Sequence, residues 1–342
     1  MKANTARKPI KLQQNVIMLI AMIVLIGVFS LFNPNFIMDK YNILRMAQSL
    51  APYAIMALGA TFVIATGGID LSIGTVCIAV AALAGKMHTN GWIPLWATIP
   101  VMIAMGCVFG VINGILIAKL KVPAFIGTMG IMMLSRGLSA LLVSDPNVFF
   151  PTGTWFNKTF SNETILGIVP IGLIWILGFM LICMYLMYKN KIGRYILAIG
   201  SNEEATRLSG INTVKYKMVA YIISGIAAGI AAIFWAAAFP TVACATGNGM
   251  ELDATAGVYI GGTSSAGGVA SVSGSVVGSA LLVVIRQGLN LVLAKLNLNL
   301  NATYVTYVLT GVIIVIAILM DIAKTNNQNR VKVEKTEKKP AK

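Results

Sequence analysis

Long apolar stretches separated by short polar connections make up most of the chain. A helix needs about 20 apolar residues to cross the hydrocarbon core of a bilayer, and the pattern predicts about ten such spans. They cover residues 16–32, 42–66, 71–85, 92–118, 124–143, 168–188, 219–239, 254–263, 272–293 and 304–320. The predicted fold class is therefore all-α, a polytopic membrane protein of about ten transmembrane helices.

Two of these spans are too short to cross a bilayer as helices, and each adjoins a glycine-rich polar break. Residues 71–85 and 254–263 would rise only about 22 and 15 Å, against a hydrocarbon core of about 30 Å. Non-helical backbone at membrane depth is tolerated only inside protein or beside a water-filled cavity. One break in each half of the chain predicts broken helices in two related halves, with a transport pathway between them. The alternative is that the glycines only permit close helix packing. The candidate pathway residues are Gly67, Gly68, Asp70, Ser72, Gly261, Gly262, Thr263 and Ser264.

The composition excludes an ordinary water-soluble enzyme. Hydrophobic residues make up 57% of the 342 residues and charged residues only 11%, whereas soluble domains contain about 25% charged residues. A formal net charge of +15 would point to nucleic acid as the partner of a soluble protein. Here most of the charge lies in the connections and at the chain ends. The prediction is therefore contact with membrane lipid and none with nucleic acid.

The basic residues also set the predicted orientation. With both termini in the cytoplasm, 19 Lys and Arg fall on the cytoplasmic side and five outside, as the positive-inside rule requires. The expected organisation is a cytoplasmic segment at 1–14, a transmembrane domain at 15–321 and a disordered basic cytoplasmic tail at 322–342. The first span is expected to be a retained anchor, because no small-x-small cleavage site follows it.

A cytoplasmic connection at 189–218 carries the pattern of a short capped helix. Ser201 is the predicted N-cap, and Glu204 is its capping-box partner. Gly210 is placed for a left-handed stop. The helix and its caps comprise Ser201, Asn202, Glu203, Glu204, Ala205, Arg207, Leu208 and Gly210.

The same helix has a predicted ion pair and an apolar edge. Arg207 follows Glu203 by four residues, the spacing of an ion pair on one helix face. Ala205, Leu208 and Ile211 share one edge. Since so short a helix is not stable alone, this edge should dock either on the protein's own spans or on a soluble partner.

Few ionisable residues lie in or beside the predicted spans, and four of them are candidates for an outer vestibule. Arg136 and Arg286 are expected in the outer half of their helices, and Glu251 and Asp253 begin a span that descends from outside. A charge inside a bilayer is costly and has a partner or a function. The two interpretations are a structural ion pair and an outer vestibule that receives the transported molecule.

The sequence carries no pattern for catalysis. It has no Gly-x-x-x-x-Gly-Lys-Ser/Thr loop for nucleotide phosphates and no Cys/His cluster for a metal ion. The single histidine, His88, lies in a predicted outside turn, and the four scattered cysteines are interpreted as small core residues. No catalytic residue, metal ion or cofactor is expected in this chain.

Three segments form a recognisable set of motifs. They are GGIDLSIG at 67–74, GRYILAIGSNEEATRLSGI at 193–211 and ELDATAGVYIGGTSSAGGVASVSG at 251–274. Together they resemble the membrane permease subunit of bacterial ABC importers for monosaccharides, the ribose, xylose, arabinose and galactose group. The resemblance implies that the capped segment is a coupling helix that sits in a groove of a separate ATPase subunit. It also implies a pore formed by two permease chains, identical or related, and an extracytoplasmic binding protein that delivers the sugar.

The expected location is the bacterial cytoplasmic membrane. A sugar route through the second break should be polar but uncharged, with Ser265 and a ring such as Tyr259 or Trp235 close to it. The alternative function is an ion-coupled secondary transporter in which Asp70 carries the proton or Na⁺. A purely structural scaffold explains neither the breaks nor the capped segment.

Overall fold

The computed structural model describes residues 14–143, 147–165, 169–244, 247, 249–296 and scattered positions between 304 and 319. Most of these residues are helical. Two predicted segments lie wholly or mostly outside the described residues, namely the N-terminal segment 1–14 and the tail at 322–342, and the tenth span at 304–320 is described only at scattered positions.

The helices follow the predicted apolar pattern, with some shifts at their ends. In the described part of the chain they are α1 (Gln14–Phe32), α2 (Lys40–Ala65), α3 (Ile73–Thr89), α4 (Thr98–Gly114), α5 (Ala124–Val143), α6 (Trp155–Asn157), α7 (Ile171–Met184), α8 (Lys191–Ser201), α9 (Glu203–Leu208), α10 (Thr213–Ala238), α11 (Met250–Ile260) and α12 (Val272–Lys295). A 3₁₀ turn precedes α4, and π-helical turns extend α4, α6 and α7 through Ile115–Lys119, Lys158–Asn162 and Tyr185–Lys189.

Six helical segments are long and apolar enough to cross a membrane. They are Lys40–Ala65, Leu95–Lys119, Ala124–Val143, Ile171–Lys189, Thr213–Ala238 and Val272–Lys295. Two further apolar helices, Met18–Phe32 and Ile73–Thr89, are shorter. The described residues thus form a multi-pass helical membrane protein, although they do not by themselves give the predicted count of about ten spans.

Two pairs of short strands occur among the described residues of this mostly helical fold, and the all-α prediction did not include them. β1 (Asn147–Phe149) pairs antiparallel with β4 (Thr241–Ala243), and β2 (Thr164–Ile165) pairs antiparallel with β3 (Val169–Pro170). The first pair joins the connection after α5 to the connection after α10. Strands of two or three residues are too short to give a period-2 pattern, so the sequence could not identify them.

Glycines allow α4 and α10 to pack backbone against backbone. A Cβ at Gly106 would lie 2.9 Å from the nitrogen of Gly229, and one at Gly110 would lie 2.6 Å from the carbonyl oxygen of Tyr221. Small residues permit such close approach between membrane helices. This contact fixes α10 beside α4 and thereby positions the polar side chains of both helices.

A separate apolar cluster holds α8 against the bundle. The buried residues of α8 are Gly193, Ile196 and Ile199, which lie three residues apart on one face. Ile196 belongs to a buried cluster with Phe62 of α2 and Tyr221 of α10. Because one face of α8 packs on these membrane helices, α8 is part of the folded core rather than a loose connection.

Candidate functional site

The first predicted break connects α2 to α3 through residues 66–72, which are not helical. Gly67 has a φ of +80°, a conformation that glycine adopts without steric strain. Gly68 lies against α10, where an added Cβ would be 2.8 Å from the Tyr221 hydroxyl oxygen. One glycine thus permits the turn, and the other permits a close approach.

Asp70 is buried at the centre of a polar network. Its Oδ1 accepts hydrogen bonds from the Ser72 amide at 2.9 Å and the Ser72 hydroxyl at 2.6 Å. Its Oδ2 accepts a hydrogen bond from the Ser224 hydroxyl of α10 at 2.7 Å. Asp70 therefore accepts a hydrogen bond from an amide just before α3 and also connects the first break to α10.

Two residues of this network were not predicted from the sequence. Ser224 lies on α10, and Asn113 on α4 donates its Nδ2 to the Ser72 hydroxyl at 2.8 Å. The Tyr221 hydroxyl also donates to the carbonyl of Ile69 at 3.2 Å. An isolated polar residue in an apolar span was the available signal, because such a residue needs a hydrogen-bond partner.

The second break joins α11 to α12 through residues 261–271 and folds as a tight loop. Gly262 has a φ of +88°. The Thr263 hydroxyl accepts a hydrogen bond from the Ser271 amide at 3.0 Å, and the Ser264 amide donates to the carbonyl of Val269 at 3.1 Å. Thr263 and Ser264 are both buried. The Thr263 hydroxyl, predicted to line a sugar route, closes the loop in this structure.

The loop also packs closely on α12. A Cβ at Gly261 would lie 2.5 Å from the nitrogen of Ser275.

Of the two rings predicted to stand near the break, Trp235 packs on Phe239, with 4.5 Å between ring centroids. Trp235 lies about 20 Å of helix beyond Tyr221, so it is at the other end of α10 from the breaks.

The two breaks contact each other through their backbones. The Gly268 amide donates to the carbonyl of Ala65 at 3.0 Å. A Cβ at Gly267 would lie 2.7 Å from the nitrogen of Gly67. Segments about 200 residues apart in sequence therefore meet.

The starts of α3 and α11 meet at Glu251. Its Oε1 accepts a hydrogen bond from the Gly249 amide at 3.1 Å. A Cβ at Gly74, in the first turn of α3, would lie 2.8 Å from Glu251 Oε2. Because the N-terminus of a helix carries partial positive charge, this carboxylate is favourably placed for both helices.

Asp253 and Arg286 form an ion pair between α11 and α12. The guanidinium carbon of Arg286 lies 5.4 Å from the centre of the Tyr53 ring of α2. Asp253 and Glu251 are only 9% and 6% exposed. The structure therefore supports a structural ion pair for Arg286. The vestibule role of these residues and of Arg136 stays a prediction.

The predicted capped helix begins one residue later than expected. Ser201 is the last residue of α8, and Asn202, with φ −162° and ψ 101°, is the N-cap of α9. The Asn202 side-chain oxygen accepts a hydrogen bond from the Ala205 amide at 2.9 Å. Ser201 cannot cap α9 because its backbone is still helical and belongs to α8. Gly210 has the predicted left-handed conformation, with a φ of +82°.

The ion pairs of α9 also differ from the prediction. Glu204 pairs with Arg207 at 2.6 Å, and Glu203 pairs with Lys217 of α10 at 2.5 Å. Glu204 is therefore not a capping-box partner, and Arg207 does not pair with Glu203, because Lys217 occupies that position. Hydrogen bonding and the charge of Arg207 hold the pKa of the Glu204 carboxyl below its usual range. The start of α9 thus stays negatively charged at neutral pH.

The apolar edge of α9 is open to solvent. Leu208 is 75% exposed and Ala205 is exposed, whereas Thr206 is buried. The buried Thr206 face of α9 and the ion pair between Glu203 and Lys217 of α10 hold α9 against the rest of the protein. Among the described residues, the protein's own spans leave the edge uncovered, which is what docking on a separate partner requires.

A cavity of about 770 Å³ lies between α9 and the first break. It is lined by Gly67 and Gly68 of the break, by Tyr221 of α10 and by the charged residues Lys121 and Arg207. The capped helix and the first break therefore face one cleft.

Comparison with known proteins identifies the family. A family model described as "Branched-chain amino acid transport system / permease component" matches residues 42–318. The chain belongs to this permease family. The match includes both breaks and the capped helix between them, and the resemblance predicted from the motifs is confirmed.

Several curated relatives are import permeases with matches along most of their length. The chain is 35% identical over 314 residues to the ribose import permease protein RbsC of Escherichia coli K12, covering 90% of this chain and 93% of the relative. It is 32% identical to the fructose import permease protein FruF of Bifidobacterium longum, covering 90% and 88%. It is 27% identical to the xylose transport system permease protein XylH of Haemophilus influenzae, covering 92% and 97%. No solved structure matches the chain.

Family membership decides between the functional alternatives. Because the family and these relatives are permease components, the chain is a permease subunit of an ABC import system and not itself an enzyme. ATP hydrolysis lies in a separate subunit. This result rules against the secondary transporter in which Asp70 would carry an ion. The permease is a multi-pass protein of the inner membrane.

Proposed function

We propose that this chain forms the translocation pathway of an ABC importer for a monosaccharide. The observation that carries the proposal is α9, a capped helix whose apolar edge is exposed beside the first break. A helix of six residues is stable only when other contacts hold it, and its open edge suits a groove on an ATPase subunit. The names of the relatives supply the substrate class.

The ATPase subunit docks on the segment from Ser201 to Gly210 in this proposal. Leu208 and Ala205 provide an apolar contact, and the charges of Glu204 and Arg207 orient it. Charged groups around an apolar centre are typical of protein interfaces, where they favour the correct partner. Two further partners complete the importer, a second permease chain, identical or related, and an extracytoplasmic sugar-binding protein.

The proposed organisation keeps the orientation predicted by the basic residues. Both termini are cytoplasmic, about ten spans cross the membrane, and the transmembrane domain covers residues 15–321. The coupling segment at 189–218 and the tail at 322–342 are then on the side where ATP is hydrolysed.

The two breaks supply the polar part of the pathway. A monosaccharide carries several hydroxyls and no charge, so backbone groups and hydroxyls bind it without holding it too tightly for release. Gly261 permits close approach at the second break, Gly262 permits its left-handed turn, and Asp70 and Ser72 maintain the shape of the first break.

Reconstitution tests the proposal directly. The permease, its ATPase and its binding protein are placed in liposomes, and uptake is measured with a panel of labelled monosaccharides. We expect ATP-dependent accumulation of at least one sugar, unaffected by a protonophore and absent when the ATPase is omitted. Uptake driven by an ion gradient without the ATPase would contradict the proposal.

A further inference from the structure

The end of α8 lies directly on the hydrogen bond that joins the two breaks. This bond runs from the Gly268 amide to the carbonyl of Ala65, at 3.0 Å. A Cβ added to Gly200 would overlap both of its atoms, the Ala65 oxygen and the Gly268 nitrogen. Only a residue without a side chain fits at position 200 while this bond is intact.

Two further glycines complete the contact. Gly267 and Gly268 have φ values of +82° and +75°. A Cβ at Gly267 would lie 3.0 Å from the Cα of Gly200, and one at Gly268 would lie 3.0 Å from the Cα of Ser201. We call Ala65, Gly67, Gly200, Gly267 and Gly268 the glycine junction.

The junction brings three backbones into contact without intervening side chains. They are the end of α2 with the first break, the second break and the end of α8. A side chain can absorb a small displacement by changing rotamer, but close-packed backbone cannot, and packed interiors transmit strain. A shift at the end of α8 therefore displaces both breaks.

Helix α9 is attached to α8 by a single residue, so it begins three residues after Gly200. Asn202 both ends α8 and caps α9. The segment before α8 also contacts the region of the second break: the hydroxyl of Tyr188, three residues before α8, donates to the carbonyl of Ala270 at 3.1 Å and accepts from the Val272 amide at 3.1 Å. One face of α8 is thus buried on the membrane helices, and contacts at its end and just before its start connect it to the second break.

We propose that Gly200 is a positioning residue of the transport cycle. When the ATPase engages α9, the end of α8 moves, and the glycine junction passes that movement to both breaks together. Gly200 touches neither nucleotide nor sugar. This proposal rests on the proposed function, because it requires an ATPase that docks on α9.

The test is Gly200→Ala in the complete importer, reconstituted with its ATPase and binding protein. The variant should bind the ATPase at wild-type yield, because the exposed edge of α9 is unchanged. ATP hydrolysis should persist, while the sugar transported per ATP falls by about tenfold. The matched control is Gly178→Ala on α7, where an added Cβ meets no atom within 4 Å. This control should keep the wild-type ratio of sugar transported to ATP hydrolysed.

The outcomes separate this proposal from the proposed function. If the wild-type importer transports sugar and Gly200→Ala has the wild-type ratio of sugar to ATP, the glycine junction has no coupling role. A fall in transport and hydrolysis by the same factor also overturns it, since that result indicates only a structural defect. Failure of the wild-type importer to use ATP would instead remove the proposed function.

Hydrogen exchange of the wild-type protein gives a second measurement. It tests the role of the glycine junction even if the Gly200→Ala variant does not assemble. Amide exchange is followed in peptides that cover 65–72 and 264–271, with and without the ATPase and nucleotide. If the glycine junction couples the two breaks, the amide protection of both peptides should change together when the ATPase docks. A change confined to one peptide, or to neither, overturns the proposal.

Discussion

The Asp70 carboxylate accepts hydrogen bonds from three buried donors, the amide and hydroxyl of Ser72 in the first break and the hydroxyl of Ser224 on α10. A buried donor without an acceptor costs about 1–3 kcal/mol. Both carboxylate oxygens of Asp70 are therefore engaged in hydrogen bonds with Ser72 and Ser224. Its geometry is that of a structural cap rather than of a site that must gain and lose an ion during transport.

Asp70→Asn should retain appreciable transport. The asparagine oxygen can still accept from Ser72, and the Ser224 hydroxyl can rotate to accept a hydrogen bond from the new amide. Asp70→Ala leaves the donors unpaired and should lower the unfolding temperature and the uptake together. Uptake is measured with a protonophore present and ATP maintained, alongside thermal unfolding. A folded Asp70→Asn variant without any transport would contradict this assignment.

At Glu204, a change of charge should weaken docking of the ATPase. Glu204→Lys removes the partner of Arg207 and places a cation at the positive end of α9. We expect a lower yield of ATPase in a pull-down and lower uptake. The matched control is Glu163→Lys, an exposed residue before β2, which should leave both unchanged. Wild-type yield and uptake for Glu204→Lys would exclude a coupling role for this side chain.

The sign of the pKa shift at Glu204 also predicts how docking responds to pH. The pKa of the Glu204 carboxyl is lower in the folded state than in the unfolded state. The ion pair with Arg207 therefore contributes its full stabilisation above the unfolded-state pKa, and this stabilisation is lost only as the pH falls through the folded-state pKa. Between about pH 8 and 6, titration of Glu204 should therefore leave ATPase binding unchanged.

Some residue-level features depend on tertiary contacts and therefore could not be predicted from the sequence. Ser201 and Asn202 are both common N-cap residues, and only the end of α8 decides between them. Ser224 and Asn113 interact with a segment far away in sequence, and neither position reveals its partner. The left-handed stop at Gly210 was predictable because it depends on local backbone alone.

At the scale of elements, the second break depends on backbone shape and one internal hydrogen bond. Gly262 has a positive φ, and a β-branched residue in such a conformation costs about 1–3 kcal/mol. Thr263 has a different role, since its hydroxyl closes the loop to Ser271. A change at each residue should therefore have a distinct result.

Gly262→Val should block transport without preventing membrane insertion, because it strains the loop between α11 and α12. Thr263→Ala removes the acceptor of the Ser271 amide and should lower stability by about 1–3 kcal/mol, with a smaller effect on uptake. Gly137→Val on α5, where an added Cβ has open space, is the control. Uptake, membrane yield and thermal unfolding are compared. Normal transport by folded Gly262→Val would leave the glycines with a packing role only.

The apolar pattern predicted the two breaks and the short α11 because spans and interruptions are local features. It did not predict α8, which lay inside the connection at 189–218. That helix buries only one face, so its polar positions kept it below the hydropathy of a membrane span. Whether a half-buried helix packs on the bundle depends on tertiary contacts, which no single segment encodes.

At the scale of the whole molecule, α8 lies between the two breaks in sequence, and its end contacts both of them in space. Residues near 67, 200 and 267 meet only because α2, α8 and the loop before α12 pack together. The sequence placed one break in each half of the chain and so predicted that they act as a pair. Their direct contact, and the part of Gly200 in it, follow from backbone packing that the pattern of side chains does not specify.

The orientation of the whole chain gives the final prediction. With both termini cytoplasmic, the connection after α3 is outside and the segment after α9 is inside, so Asn90→Cys should react with a membrane-impermeant maleimide in intact cells. Ser209→Cys should react only after the membrane is permeabilised. Both positions are exposed, and the background should be low because Cys77, Cys183 and Cys244 are buried and Cys107 is partly buried. The reverse labelling order would invert the proposed topology and move α9 away from the side where ATP is hydrolysed.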